Sequence, residues 1–398
     1  MAQLVRRGNA VVFAFLLVTT ALVGAGLTQS PASSLVVHEW GTFTSVAGQD
    51  GRAVEWQPLS GPSDLPCFVR VLNPVCIKCV TPVSVLPAIR ATVRMETPVL
   101  YFYSPEEVTA RVQVRFPQGL ITEWYPHAVV PVPSPLGAIS QSMGAIDWAQ
   151  VVVKPNTNPA FPSEPGPSHY YAARETDAAP VVVGAQPEKF LFYRGLASFP
   201  VPVRATVEDD GQIAVSKAGR HALGRLILFE NRNGRIGYRV IDAAGERVVI
   251  APPALDSSFA ALRADLERTL VETGLYPREA AAMVETWRDS WFEAGMRVFY
   301  IVPRAAVDDI LPLTIDPRPA SVARAFVGRL ELITPAVEAD VELAVRTNDM
   351  KRLTSYGRFL EPIVERCIKR SASPADVLQM REALRLVAAS RVPEAPCR

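Results

Sequence analysis

The chain has 398 residues, of which 49% are hydrophobic and 20% charged, and its formal net charge is +1. That apolar content supports a sizeable core and excludes wholesale disorder. A balance this close to neutrality carries no basic footprint for nucleic acid and no polybasic patch for a membrane surface.

The first element is an export signal. Arg6 and Arg7 precede an apolar stretch without a charge over residues 10–27, and Val23, Gly24 and Ala25 supply the small residues that a signal peptidase accepts. The pattern predicts a signal peptide over residues 1–25, cleaved after Ala25. The alternative is an inner-membrane anchor over residues 10–27, since the run is close to the ~18 residues at which a spanning helix becomes a candidate. Either way the body is translocated, so the expected address is extracytoplasmic, periplasmic or secreted. Membrane contact is expected only through this segment if it stays uncleaved. Losing Arg6 and Arg7 takes the net charge from +1 to −1.

Five cysteines follow, Cys67, Cys76, Cys79, Cys367 and Cys397. An oxidising compartment favours pairing, and an odd count leaves at least one over. Cys76-Ile77-Lys78-Cys79 has redox or zinc-knuckle spacing, but Thr81-Pro82 breaks the chain at once, and Val80 stands where haem attachment needs a histidine. A structural disulfide within Cys67, Cys76 and Cys79 is the expectation.

The residue pattern predicts an α+β protein, with a β-rich, sandwich-like domain over residues 26–255 followed by a helix-rich domain with short strands over 256–398. Residues 98–103 form an apolar, aromatic run typical of a buried strand. Residues 108–116 then alternate, with Val108, Ala110, Val112, Val114 and Phe116 on one face, and Pro117-Gln118-Gly119 turns into a partner over 120–125. A meander follows over 203–215. Asn231-Arg232-Asn233-Gly234 then predicts a hairpin turn between strands at 226–229 and 235–241, with a further strand at 247–250. After Pro253 the period becomes helical. Ser257 or Ser258 caps a helix carrying Phe259, Leu262, Leu266 and Leu270, and Gly274 ends it. Pro277 opens a second helix, with Trp287 and Trp291 on its apolar stripe and Glu285, Asp289 and Glu293 read as a solvated acidic stripe. Apolar runs at 298–302 and 325–333 add strands to a sheet, and the remainder is helical, with Ser373 capping the last helix.

Several stretches resemble a family of uncharacterised exported bacterial proteins. They are HEWGTFT from His38, METPVLYFYSP from Met95, HYYAARETDAAP from His169, EKFLFYRG from Glu188 and TWRDSWF from Thr286. Residues 98–126 are also similar to a second such set, in which a PVxYxYP strand and an alternating strand precede a GxxTxxYP strand. The resemblance implies an exported, β-rich fold and transfers no activity.

Common catalytic signatures are absent: no Gly-x-Ser-x-Gly elbow, Ser-x-x-Lys, Walker loop or Rossmann fingerprint occurs. His38-Glu39 does not continue into a zinc-protease motif, because Thr42 stands where the second histidine belongs. The most polar cluster of the β region runs from His169 to Asp177. Histidines and carboxylates suit a divalent metal, so His38, Glu39, His169, Glu175 and Asp177 form the candidate metal set. The competing arrangement pairs Arg174 with Glu175 or Asp177 and packs the tyrosines. Glu96 and Glu123 are a candidate acid and base pair for glycoside hydrolysis. Trp40, Trp56, Trp124 and Trp148 are core residues, or sugar-stacking platforms if exposed. Three functions follow: a non-catalytic exported binding protein with a protein or glycan partner, a metal-assisted hydrolase, and a carbohydrate-active protein.

Overall fold

The computed structural model describes residues 34–59, 65–72, 89–130, 144–166 and 168–390. Ser33–Arg398 form one compact unit with an α+β fold. The signal segment, Cys76, Cys79 and Cys397 lie outside the described residues. Among the described residues no helix is long and apolar enough to cross a membrane.

The centre is a nine-stranded sheet. Its strands are β1 (Val36–Val46), β2 (Arg70–Val71), β3 (Val93–Tyr103), β5 (Gly119–Tyr125), β9 (Leu191–Ala197), β12 (Gly224–Arg232), β13 (Arg235–Ala243), β15 (Gly295–Ile301) and β17 (Ser321–Leu332). Their order is β13-β12-β15-β17-β1-β3-β9-β5-β2. A five-stranded sheet comprises β4 (Val108–Phe116), β6 (Gly144–Val153), β7 (Val181–Val183), β8 (Gln186–Glu188) and β16 (Leu313–Asp316). A three-stranded one comprises β10 (Val203–Val207), β11 (Ile213–Lys217) and β14 (Arg247–Ile250). The boundary expected at residue 255 falls within the central sheet's connectivity. Strand β15 pairs with β12, and β17 runs parallel to β1 from Val36↔Ser321 to Val46↔Glu331. The helix-rich segment therefore completes the N-terminal sheet.

One face of the central sheet packs on the two smaller sheets, where the alternation of β4 buries Ala110, Val112, Val114 and Phe116, with Ile146 and Trp148 of the neighbouring β6, in one core with Phe102, Ile121 and Tyr193 of the central sheet. The other face is covered by α1 (Phe259–Glu272) and α2 (Pro277–Trp291), which place Leu262, Leu266, Met283 and Trp287 over Trp40, Tyr101 and Phe192. Covered on both faces, β1 and β3 read as near-continuous buried runs rather than alternating ones. After the short α3 (Arg304–Ile310), four helices form a third cluster with Val46 and Trp56: α4 (Pro335–Thr347), α5 (Met350–Ser355), α6 (Leu360–Arg370) and α7 (Pro374–Ser390).

The strand ends and caps have local causes. Asn233 and Gly234, at φ of 55° and 78°, make the β12–β13 turn. The Ser258 side chain accepts from Ala261 N at the start of α1. In β3 the pairing slips between Met95 and Val99, and Thr97 holds a φ of 43° there, rare for a β-branched residue. Its hydroxyl accepts from Arg194 Nε at 3.0 Å.

Candidate functional site

Consecutive residues of a strand face opposite sides, so His38 and Glu39 of β1 are separated by the sheet itself. His38 faces the helical side, where its Nδ1 lies 2.7 Å from Glu279 Oε2. Glu39 faces the other side, where it accepts from Tyr193 Oη at 2.5 Å and Arg324 Nε at 2.5 Å. His169 opens a 3₁₀ turn, His169–Arg174, on the outside of α2, and its Nε2 meets Asp289 at 2.5 Å. Glu175 is exposed, and Asp177 pairs with Arg278 at 2.5 Å. The expected metal set is thus dispersed, because each histidine has its own carboxylate on α2 and each carboxylate of the set but Glu175 has its own arginine. Among the described residues no group of three or more His, Cys, Asp or Glu side chains is placed to hold a metal ion.

The competing arrangement also changes partner. Arg174 grips buried Glu188 through Nε and Nη2 at 2.8 and 2.7 Å, and its guanidinium lies over the rings of Phe161 and Tyr171. Glu96 is held by Arg358 and Arg94, and Glu123 accepts from Thr122. Neither glutamate lines any of the cavities described below. All six tryptophans are buried, at 9% exposure or less, so no tryptophan platform for sugar faces solvent. Of the expected acidic stripe, Asp289 is exposed, Glu285 pairs with Arg263 and Arg288, and Glu293, beyond the end of α2, sinks against Arg329 at 3.1 Å, where burial raises its carboxyl. Cys67 is engaged in a disulfide, and Cys367 is free and buried.

What these contacts build is a hub at one end of the central sheet. Glu279, fully buried at the third position of α2, accepts from Tyr276 N at 2.7 Å and from Tyr103 Oη at 2.8 Å as well as meeting His38. The first of these is half of a capping box. Burial, and then the Glu279 charge, push the Tyr103 hydroxyl far above its ordinary value. The His38 ring forms a three-ring cluster with Tyr276 at 4.5 Å and Tyr103 at 5.3 Å, the two tyrosines themselves meeting edge-on at 4.9 Å.

Next to the hub is a pocket of about 620 Å³. Its walls come from the start of β1, the end of β3 with Ser104 and Pro105, the turn 155–157 after β6, residues 176–180, Lys189 and Arg278. Asn156 takes a φ of 58° in that turn. Lys189 is half-buried and has no ion-pair partner among the described residues. Burial holds its amine below the ordinary lysine value; Asp177 opposes that shift, Arg278 adds to it and Glu175 opposes it again. Thr176 is 4% exposed, lines the pocket, and its Oγ1 has no hydrogen-bond partner.

A second cleft, of about 610 Å³, lies between the β12–β13 turn and α4–α5. Its half-buried charges are paired, Arg352 with Asp340 at 2.5 Å and Glu293 with Arg329, Arg232 pairs with Glu230, and Lys351 and Asp349 are exposed. A third concavity, about 450 Å³ between α1 and α2, is bounded by Phe259 and Phe292 and by Arg263, Glu285, Arg288 and Asp289. Of the three, the Lys189 pocket is the one that keeps a half-buried charge without a partner.

Lys189, Arg278, Thr176 and Glu279 were not singled out by the sequence. Glu279 had a local signal, a glutamate three positions after a helix cap. Its reach to His38, 241 positions away, had none.

No protein-family model matches this chain, and no curated protein sequence matches it. Among solved structures it is similar to the yeast delta-COP-I mu-homology domain complexed with Dsl1 WxWxV peptide. Identity is 8% and the TM-score 0.25, with 75% of this chain and 96% of that one covered. A likeness this loose transfers neither fold nor ligand.

Proposed function

We propose that the protein is an exported, non-catalytic binding protein of the periplasm or cell surface, with its ligand seated in the pocket between Tyr103, Lys189 and Arg278. One observation carries the reading: Lys189 is half-buried in a metabolite-sized pocket with no partner of its own. Four of the stretches that resemble exported bacterial proteins also converge there. METPVLYFYSP ends in the wall at Tyr103, HYYAARETDAAP supplies residues 176–180, EKFLFYRG supplies Lys189, and HEWGTFT supplies His38 behind Tyr103. Export rests on Arg6, Arg7 and the apolar run after them.

The test is a thermal-shift and calorimetric screen of the mature protein against small anions, cations, neutral sugars and short peptides. At a hundred times its Kd a bound compound stabilises by about 2.7 kcal/mol, so binding is read directly. No stabilising compound, or binding that ignores Lys189→Ala, overturns the reading. The export half is tested separately: sequencing of the protein from its native host is expected to start between residues 26 and 34. An intact Met1 in the membrane fraction supports the anchor instead. The Cys67 disulfide is proposed to close on Cys76 or Cys79, and non-reduced peptide mass spectrometry identifies the partner. Closing a loop of that length is worth roughly 3 kcal/mol in the chain-entropy model.

A further inference from the structure

We infer that the Lys189 pocket takes a small molecule bearing an oxyanion, a carboxylate or a phosphate, held between the Lys189 amine and the Arg278 guanidinium with the Thr176 hydroxyl as a further donor. The inference rests on the pocket being a ligand site, as proposed above.

The charges lining the pocket are Lys189, Arg278 and Asp177. Arg278 and Asp177 neutralise each other across one edge, 2.5 Å apart, and both remain more than half exposed. Lys189 has no ion pair of its own among the described residues, although Asp177 and Glu175 favour its charge, and it is the more enclosed of the two cations. Glu175, the other carboxylate near it, does not line the pocket. Two cations that disfavour one another across a concavity are what an anion relieves, and charge-assisted hydrogen bonds to an oxyanion are about twice as strong as neutral ones. A cationic guest meets the opposite field.

Thr176 adds a second, independent observation. Burying a hydroxyl without a partner costs roughly 1–3 kcal/mol, and Thr176 Oγ1 is in that state on the pocket wall. The hydroxyl is itself closed to solvent, so an acceptor oxygen satisfies it only if the Thr176 side chain turns toward the pocket. The end of α2 does not compete for the role, because its capping position is taken by Glu279. Tyr103 is not a donor here either, since its hydroxyl already donates to Glu279. The remaining polar wall, Ser34, Ser104, Asn156 and Thr157, is left for the body of the guest.

Calorimetry of the mature protein with inorganic phosphate, a phosphomonoester, acetate and citrate tests this, with glucose and spermidine as controls. An oxyanion is expected to bind while both controls do not, with Lys189→Gln and Arg278→Gln each weakening it roughly tenfold or more. Circular dichroism and the melting curve confirm that the variants fold. Binding is expected to fade on raising the pH before the ordinary lysine range is reached, and Lys189→Arg is expected to keep binding and abolish that fade. Phosphate-only or carboxylate-only binding with this Lys189 dependence supports the inference and fixes the source. Binding of spermidine or glucose that depends on Lys189 overturns the oxyanion while leaving the pocket a ligand site. Absence of binding by every compound, in wild type and variants alike, overturns both.

Discussion

Glu279 is a single carboxylate on which three separate parts of the chain close: Tyr276 N beside it, Tyr103 from β3 and His38 from β1. Each buried polar group that loses its partner costs about 1–3 kcal/mol. Glu279→Ala is therefore expected to cost on the order of 3 kcal/mol in urea denaturation and Glu279→Gln distinctly less, while exposed Glu175→Ala stays within about 0.5 kcal/mol. Equal effects from all three would remove the hub. Lys189 behaves oppositely. Its folded pKa lies below the unfolded value of 10.5, so at pH 7 its charge opposes folding. That penalty is relieved as pH rises through the lowered pKa. Lys189→Met is expected to be as stable as wild type or more so at pH 7, with the gap in urea midpoint closing as pH approaches 10.5. The sequence singled out His38, His169, Glu175 and Asp177 but not their partners, and the set it joined is dispersed over the fold. Side-chain pairing is set by which strands and helices meet, and no local pattern encodes that.

Elements were more legible than residues. The period-two run of β4, the Asn-Gly turn of β12–β13 and the Ser258 and Pro277 helix starts each follow from local backbone preference, and each lies where the sequence placed it. The parallel pairing of β1 with β17 is a different matter, because their registers join residues 285 positions apart. The cluster of α4–α7 docks through Phe359, which stacks on Trp56 at 5.4 Å and lies beneath the Arg329 guanidinium at 4.4 Å. Phe359→Ala removes a large buried ring, a change worth about 3–5 kcal/mol. Hydrogen exchange is expected to rise first in α4–α7 and last in β3; uniform loss of protection across both contradicts this docking role.

At the scale of the molecule, the strands before and after residue 255 belong to one sheet. Separating the two parts there opens the edges of β12 and β1 on one side and of β15 and β17 on the other, and exposes the face under α1 and α2. Limited proteolysis at the stretch 251–254, exposed except for Pro253, is expected to yield fragments that stay associated, and neither fragment made alone is expected to melt cooperatively. A sharp transition in an isolated 34–255 fragment contradicts that. Composition and hydrophobic period reached the α+β class without reaching this merger, since a period reveals that a strand is buried and not which strand buries it.

The middle of the sheet also sets a timetable. Strand β1 is among the first segments of the compact unit to leave the ribosome, yet its parallel neighbour begins at Ser321. Until that neighbour arrives, β1 has only β3 beside it and the central sheet cannot close. Long-range pairing of this kind folds late and slowly. A chain delayed in that way stays open for most of its synthesis, which keeps it threadable through a narrow pore, and exposes it to proteases and to other unfinished chains for the same interval.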